Sequence, residues 1–168
     1  MTAPSKTRPH LGETDFELAL FELQHTVVCY SEAFYRYVEM QLKRVTGNAT
    51  LTGQDCVILH GIRLGERPKS IPEIQHFTNR TDIANIQYSV KKLMKAGLVE
   101  KADRNQGRGT TYRLTEVGVR ATDEYVRARR EFIMTLRPDP TMLEEVKAAT
   151  RLLQMLTGAY DHVTRSLI

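Results

Sequence analysis

Apolar residues recur every three or four positions at Phe16, Leu20, Leu23, Val27, Phe34, Val38, Leu42 and Val45, which is the period of an amphipathic helix. Thr14 and Glu17 make a capping box at its start, and Gly47-Asn48 supplies a stop. The pattern predicts one helix over 14–47, a rod of about 45 Å at ~1.5 Å per residue. Such a rod is too long to bury one face inside a small domain. Part of it needs another surface, and a second copy of the chain is the simplest one.

A second helix is predicted over 52–64, with Cys56, Val57, Leu59 and Ile62 as its apolar members, broken by Gly65-Glu66-Arg67-Pro68. Ser70-Ile71-Pro72-Glu73 is another capping box, with proline in the first turn where its missing N–H costs nothing. It opens a short helix to about Phe77. A fourth helix is expected to begin between Asn79 and Thr81 and to end at Ala96-Gly97. Ile83, Ile86, Val90, Leu93 and Met94 share one of its faces, and Thr81, Asn85, Gln87, Tyr88, Lys91 and Lys92 share the other. Residues 98–102 and 111–115 read as two strands joined by a glycine-containing loop. Thr115 then serves as N-cap of a fifth helix striped by Val117, Ala121, Tyr125, Ala128, Phe132 and Leu136. Asp139-Pro140 caps a last one in which Leu143, Val146, Leu153, Leu156, Tyr160, Val163 and Leu167 recur.

These elements predict a mainly α fold with a small β-wing, a winged helix-turn-helix over 48–116. The helix over 14–47 and the helices over 117–168 flank it as dimerisation elements, after a lead-in over 1–13 expected to be disordered. No apolar run nears the roughly 18 residues that span a bilayer, so no membrane partner is expected. The first ten residues lack the apolar core of a signal peptide, which points to the cytoplasm. There Cys29 and Cys56 are expected as free thiols.

Charge sharpens the picture. Residues 80–113 hold eight Lys or Arg against three Asp or Glu, whereas the whole chain has a net charge of only +4. A concentrated surplus of this kind is the footprint of a nucleic-acid binder. In a helix-turn-helix the second helix enters the major groove with its N-terminal residues at the base edges. Thr81, Asn85, Gln87 and Tyr88 hold those positions here. Asn and Gln suit adenine, and Thr can meet the thymine methyl. Lys91, Lys92 and Lys95 sit a turn later, where phosphate is the expected partner. Arg104 and Arg108, at the hairpin tip, suit a narrow minor groove or the flanking backbone. Taken singly, each polar face could be the solvated side of an amphipathic helix; their conjunction favours double-stranded DNA.

The run Leu93-Met94-Lys95-Ala96-Gly97-Leu98-Val99, then Asp103 with Arg108, then Leu114-Thr115-Glu116-Val117-Gly118, resembles the MarR family of winged-helix regulators. The flanking helices extend the resemblance from about Asp15 to the end. That family commonly places an arginine two residues after the wing aspartate; this chain has Asn105 there, with Arg104 beside it. The resemblance implies a homodimer on a pseudo-palindromic operator, usually a repressor released by a small ligand or by oxidation.

The release signal has three candidates. The resemblance implies an organic effector in a crevice beside the DNA-binding lobe, where Cys29, Tyr30, Tyr37, His60 and Arg63 are the candidate lining. A thiol switch at Cys29 needs a stabilised thiolate, and Glu32 nearby works against one. His25 and Cys29, like Cys56 and His60, lie four apart on one helix face; were the two faces to meet, they would make a Cys₂His₂ set suited to zinc. That spacing matches no recognised metal motif, so no metal and no cofactor is expected. No phosphate loop, nucleophile elbow or paired-carboxylate arrangement points to an enzyme. A winged helix serving protein interaction without DNA is the remaining alternative, and it has no need of the basic surplus.

Overall fold

The computed structural model describes His10 and residues 12–102 and 109–167. Helix α1 spans Asp15–Thr46, opened by the expected box: the Glu17 N–H donates to Thr14 Oγ1 at 3.2 Å, and the Thr14 N–H donates back to Glu17 Oε2 at 2.8 Å. It is followed by α2 (Gly53–Arg63), β1 (Lys69–Ser70), α3 (Ile71–Thr78) and α4 (Ile83–Lys95). Strands β2 (Val99–Lys101) and β3 (Thr111–Leu114) come next, then α5 (Glu116–Thr135) and α6 (Pro140–Ser166). The mainly α fold with a small wing is as expected. Strand β1 is not; it pairs with β3 through Lys69 opposite Tyr112 and Ser70 opposite Thr111, giving a three-stranded antiparallel sheet in the order β1-β3-β2. Two residues leave no period to read, so only the distant partner reveals them.

The chain divides into two compact units, Met1–Val126 and Arg127–Ile168. In the first, α2 is the hub. Cys56, Ile58, Leu59 and Ile62 are buried against Val38 and Leu42 of α1, Ile74 of α3, and Ile86, Val90 and Leu93 of α4. Only the C-terminal half of α1 joins this core, while Phe16 stays 74% exposed and Tyr30 68% exposed. In the second unit α6 leaves much of its apolar stripe outside: Leu143, Val146, Tyr160 and Val163 are exposed, Leu153 and Leu156 are half-buried, and among the described residues α6 buries none.

The turn from α4 into the wing depends on two glycines. Gly97 adopts φ 70°, in the left-handed region that suits glycine, and the Leu98 N–H then returns to Leu93 O at 3.0 Å. Thr115 locks the far end of the wing to this turn. Its N–H donates to Leu98 O at 3.1 Å and its hydroxyl donates to Gly97 O at 2.6 Å. Its Oγ1 also accepts the Gly118 N–H at 3.1 Å, which is the N-cap role expected of it. Gly118 therefore lies so close to the chain that a Cβ there would sit 2.0 Å from Leu98 O. Gly118→Ala is expected to cost about 3 kcal/mol by overpacking against backbone, read as a lowered midpoint in urea denaturation. An unchanged midpoint would mean that the wing base is looser than this geometry allows.

Candidate nucleic-acid interface

Helix α4 is held from below and open from above. Ile86, Ser89, Val90 and Leu93 are buried, while Asn85, Gln87, Tyr88, Lys91 and Lys95 are exposed. Its first residue is Ile83, because Asn79 in a left-handed conformation at φ 50° ends α3 and residues 80–82 form the turn. Thr81, expected on the helix, thus lies just before it. Gln87 also lines a groove of about 890 Å³ with Ser70, Ile71 and Pro72 of the β1–α3 corner and Thr111 and Tyr112 of β3. Lys91 and Lys95 border a second concavity with Tyr88, Asn48 and Thr50.

Lys92 has a different place from the one expected. Its Nζ donates to Asp55 Oδ2 at 2.5 Å, and Asp55, the N3 residue of the α2 capping box, is only 1% exposed. The same carboxylate oxygen accepts the Thr52 N–H at 2.8 Å and the Thr52 hydroxyl at 3.0 Å. A buried carboxylate needs such saturation, since an unpaired buried charge is costly. Lys92, expected at phosphate, is here the internal counter-ion of α2. Arg104 and Arg108 lie outside the described residues; the visible wing carries Lys101, exposed, and Arg113 bonded to Glu100 at 2.8 Å.

The turn before α4 holds a cluster that the sequence reading missed. Arg80 grips Asp82 through both nitrogen and oxygen pairs, reaches Gln54 of α2 at 2.8 Å, and leaves Asp82 Oδ2 to accept from Asn85 Nδ2 at 3.0 Å. Arg80, then Asn85, hold the Asp82 carboxyl below the usual carboxylate range. An arginine two residues before an aspartate, with asparagine three residues after it, was a usable local signal.

The candidate effector residues do not form one cluster. His60 meets Tyr125 of α5 in a tilted contact at a centroid distance of 4.4 Å, and Tyr37 approaches the same ring at 6.5 Å. Tyr30 instead lies out along α1 against Phe34. Arg63 is turned to α5, bonded to the Thr122 hydroxyl and to Asp123 Oδ1 at 2.7 Å. Cys29, exposed, has its Sγ 3.6 Å from His25 Nε2. Cys56 is enclosed in the core, where burial first and Asp55 second push its thiol up to about 12. The two Cys–His faces therefore serve different surroundings, and among the described residues no group of three or more His, Cys, Asp or Glu is placed to hold a metal. Among the same residues no helix is long and apolar enough to cross a membrane.

Known proteins share this fold. Residues 51–118 match the model of a winged helix DNA-binding domain. Among curated proteins none matches the chain. Solved structures do. A MarR family transcriptional regulator from Silicibacter pomeroyi superposes with a TM-score of 0.67 at 16% identity, covering 92% of this chain and 99% of that one. Staphylococcus aureus MarR, in complex with salicylate and kanamycin, gives 0.64 at 13% identity, covering 84% and 94%. The S. aureus MepR–DNA complex gives 0.64 at 16% identity, covering 81% and 95%. The likeness to the MarR family read from the sequence is thus matched in three dimensions: the chain has the winged-helix fold of these regulators.

Two outcomes follow from the buried groups. Lys92→Met should lower stability by about 3 kcal/mol, the cost of stranding a buried carboxylate. Lys91→Met, one residue away and exposed, should stay within about 0.5 kcal/mol; equal losses in urea denaturation would contradict the division of labour. The second concerns His60, whose Nε2 is buried with no hydrogen-bond partner among the described residues. Burial, then the neighbouring Arg63, lower its imidazole from 6.5 to about 4. As pH falls the unfolded chain takes up this proton first, so stability present above about 6.5 is lost progressively down to about 4. The thermal midpoint of His60→Leu should therefore decline less than that of the native protein between pH 7 and pH 5.

Proposed function

We infer that this chain is a homodimeric, sequence-specific DNA-binding transcriptional regulator of the MarR type, acting as a repressor released by a small organic ligand. The observation that carries the reading is the two-faced α4. One side is locked into the core by Ile86, Val90 and Leu93, and the other offers Gln87, Tyr88 and Lys91 to solvent beside a hairpin wing. A helix that enters a major groove needs both properties, because base edges are read only by side chains whose backbone cannot shift. Gln87 and Asn85 are the base-reading groups, Lys91 and Lys95 the phosphate contacts. Arg104 and Arg108 extend the reading to the minor groove.

Dimerisation is supported by the exposed stripes of α1 and α6. Runs of exposed large apolar side chains on a helix mark interaction surfaces, and a pseudo-palindromic operator follows from two-fold symmetry. Release by a ligand is supported by Tyr37 and His60 meeting on Tyr125, a partly apolar setting with one unsatisfied imidazole nitrogen. Oxidation of Cys29 is the second reading, favoured by its exposure and its contact with His25.

Binding to duplexes from the promoter region of its own gene, measured by anisotropy across salt concentrations, tests the proposal. Affinity should fall steeply with salt, and Lys91→Ala should reduce the log–log slope by about one. Gln87→Ala should cost about 1–3 kcal/mol on the preferred site and little on unrelated DNA. The complex should contain two chains per site. Absence of binding to any duplex at low salt would favour the protein-interaction alternative.

A further inference from the structure

The bonds at the entrance to α4 have a chemical direction. Arg80 Nε donates to Asp82 Oδ1 at 2.7 Å, and Nη2 donates to Oδ2, so the carboxylate is gripped as a fork. Nη1 donates to Gln54 Oε1 at 2.8 Å and ties the fork to α2. Asn85 completes the chain by donating Nδ2 to Asp82 Oδ2 at 3.0 Å. An ionised carboxylate only accepts. The oxygen of the Asn85 amide would be repelled where its nitrogen now sits, so the amide has one stable face toward Asp82. An exposed asparagine ordinarily turns over freely; this one does not.

We propose that Asp82, held by Arg80, is a specificity-determining positioning residue that fixes the Asn85 amide so that its Oδ1 and remaining N–H read the N6 and N7 of adenine. This rests on the DNA-reading function proposed above. Adenine offers a donor and an acceptor side by side in the major groove, whereas guanine offers two acceptors and gives Oδ1 nothing to accept. A pinned amide loses no rotational freedom on binding, and that pre-organisation favours the matching base. The fork also removes an objection, since a carboxylate at a DNA-facing helix end would otherwise repel phosphate. Arg80 neutralises it and leaves it only its role toward Asn85.

Asp82 occupies the N-cap position of α4 but makes no side-chain cap bond among the described residues. Removing its side chain therefore removes the hold on Asn85 without removing a cap. The test begins by selecting preferred sites for the native protein from a randomised duplex pool. Native protein, Asn85→Ala, Asp82→Ala, Arg80→Lys and the Asp82→Ala/Asn85→Ala double variant are then titrated against that site and its single-base-pair variants. Asn85→Ala should lose the adenine preference at one position per half-site. Asp82→Ala should lose about fivefold or more of the same preference, with preferences at other positions unchanged; the Arg80 charge it uncovers raises affinity for every duplex alike, so the readout is the ratio between bases at that position. The double variant should be no worse than Asn85→Ala. Arg80→Lys, which keeps the charge but breaks the fork, should move in the same direction and carries the test if Asp82→Ala fails to fold.

Full adenine preference in both Asp82→Ala and Arg80→Lys would overturn the proposal while leaving DNA reading intact. So would a loss spread evenly over all positions, which is what general damage to α4 would give. A native protein with no base preference anywhere would instead bring down the DNA-reading function, and this inference with it.

Discussion

One buried carboxylate sets the position of everything that faces solvent on α4. Asp55 closes the first turn of α2 by accepting from Thr52 and, with the same oxygen, accepts from Lys92 of α4. Neither half of this arrangement works without the other. A capping carboxylate at the surface could be satisfied by water, but this one is 1% exposed and must be neutralised by protein. The neutralising group has to come from the helix packed across α2, and its reach fixes both the rotation of α4 and its position along its own axis. Hydrophobic contacts alone would not do this as sharply, because Ile86, Val90 and Leu93 could slide against α2 with little change in buried area.

With the rotation fixed, neighbouring residues on α4 have unlike roles. Lys91 and Lys92 are adjacent and chemically identical, yet one is exposed and the other serves the core. Lys92 also passes 5.8 Å from the Tyr88 ring, so the internal pair steadies an exposed aromatic on the outer face. At the other end of the helix the Arg80–Asp82–Asn85 bonds do for the first turn what Asp55 does for the last. The wing is anchored separately, by Thr115 and Gly118 against Gly97 and Leu98.

The parts of this architecture legible in the sequence are those whose causes are local. The capping boxes at Thr14 and Ser70, the stops at Gly47 and Gly97, and the stripe of α4 depend on residues within a turn or two, and they stand where the pattern puts them. Apart from the local Arg80–Asp82–Asn85 bonds, most of what escaped depends on distance along the chain. Strand β1 exists only because β3 lies beside it. Lys92 looked like any lysine on a basic helix because its partner is 37 residues away. Helix α4 starts later than the pattern predicts because the left-handed backbone of Asn79 closes α3. The Cys–His spacings were real on each helix, but periodicity says nothing about which faces meet. Cys29 is exposed on α1 and Cys56 is sealed in the core.

The charge surplus of residues 80–113 gains meaning once its two described acids are accounted for. Asp82 is held by Arg80 and Glu100 by Arg113, and outside the segment Asp55 is held by Lys92 and Glu73 by Arg67. Each pair is electrically neutral at a distance and contributes little field beyond about 8–10 Å at physiological salt. The field felt by an approaching polyanion comes from the cations left over. Among the described residues of α4 these are Lys91 and Lys95, both exposed and both bordering the concavity with Asn48 and Thr50. A surface built this way attracts phosphate along one edge of the helix and keeps the rest near neutrality. On the function proposed above, that leaves hydrogen-bonding groups such as Asn85 and Gln87, rather than bulk charge, to select the sequence.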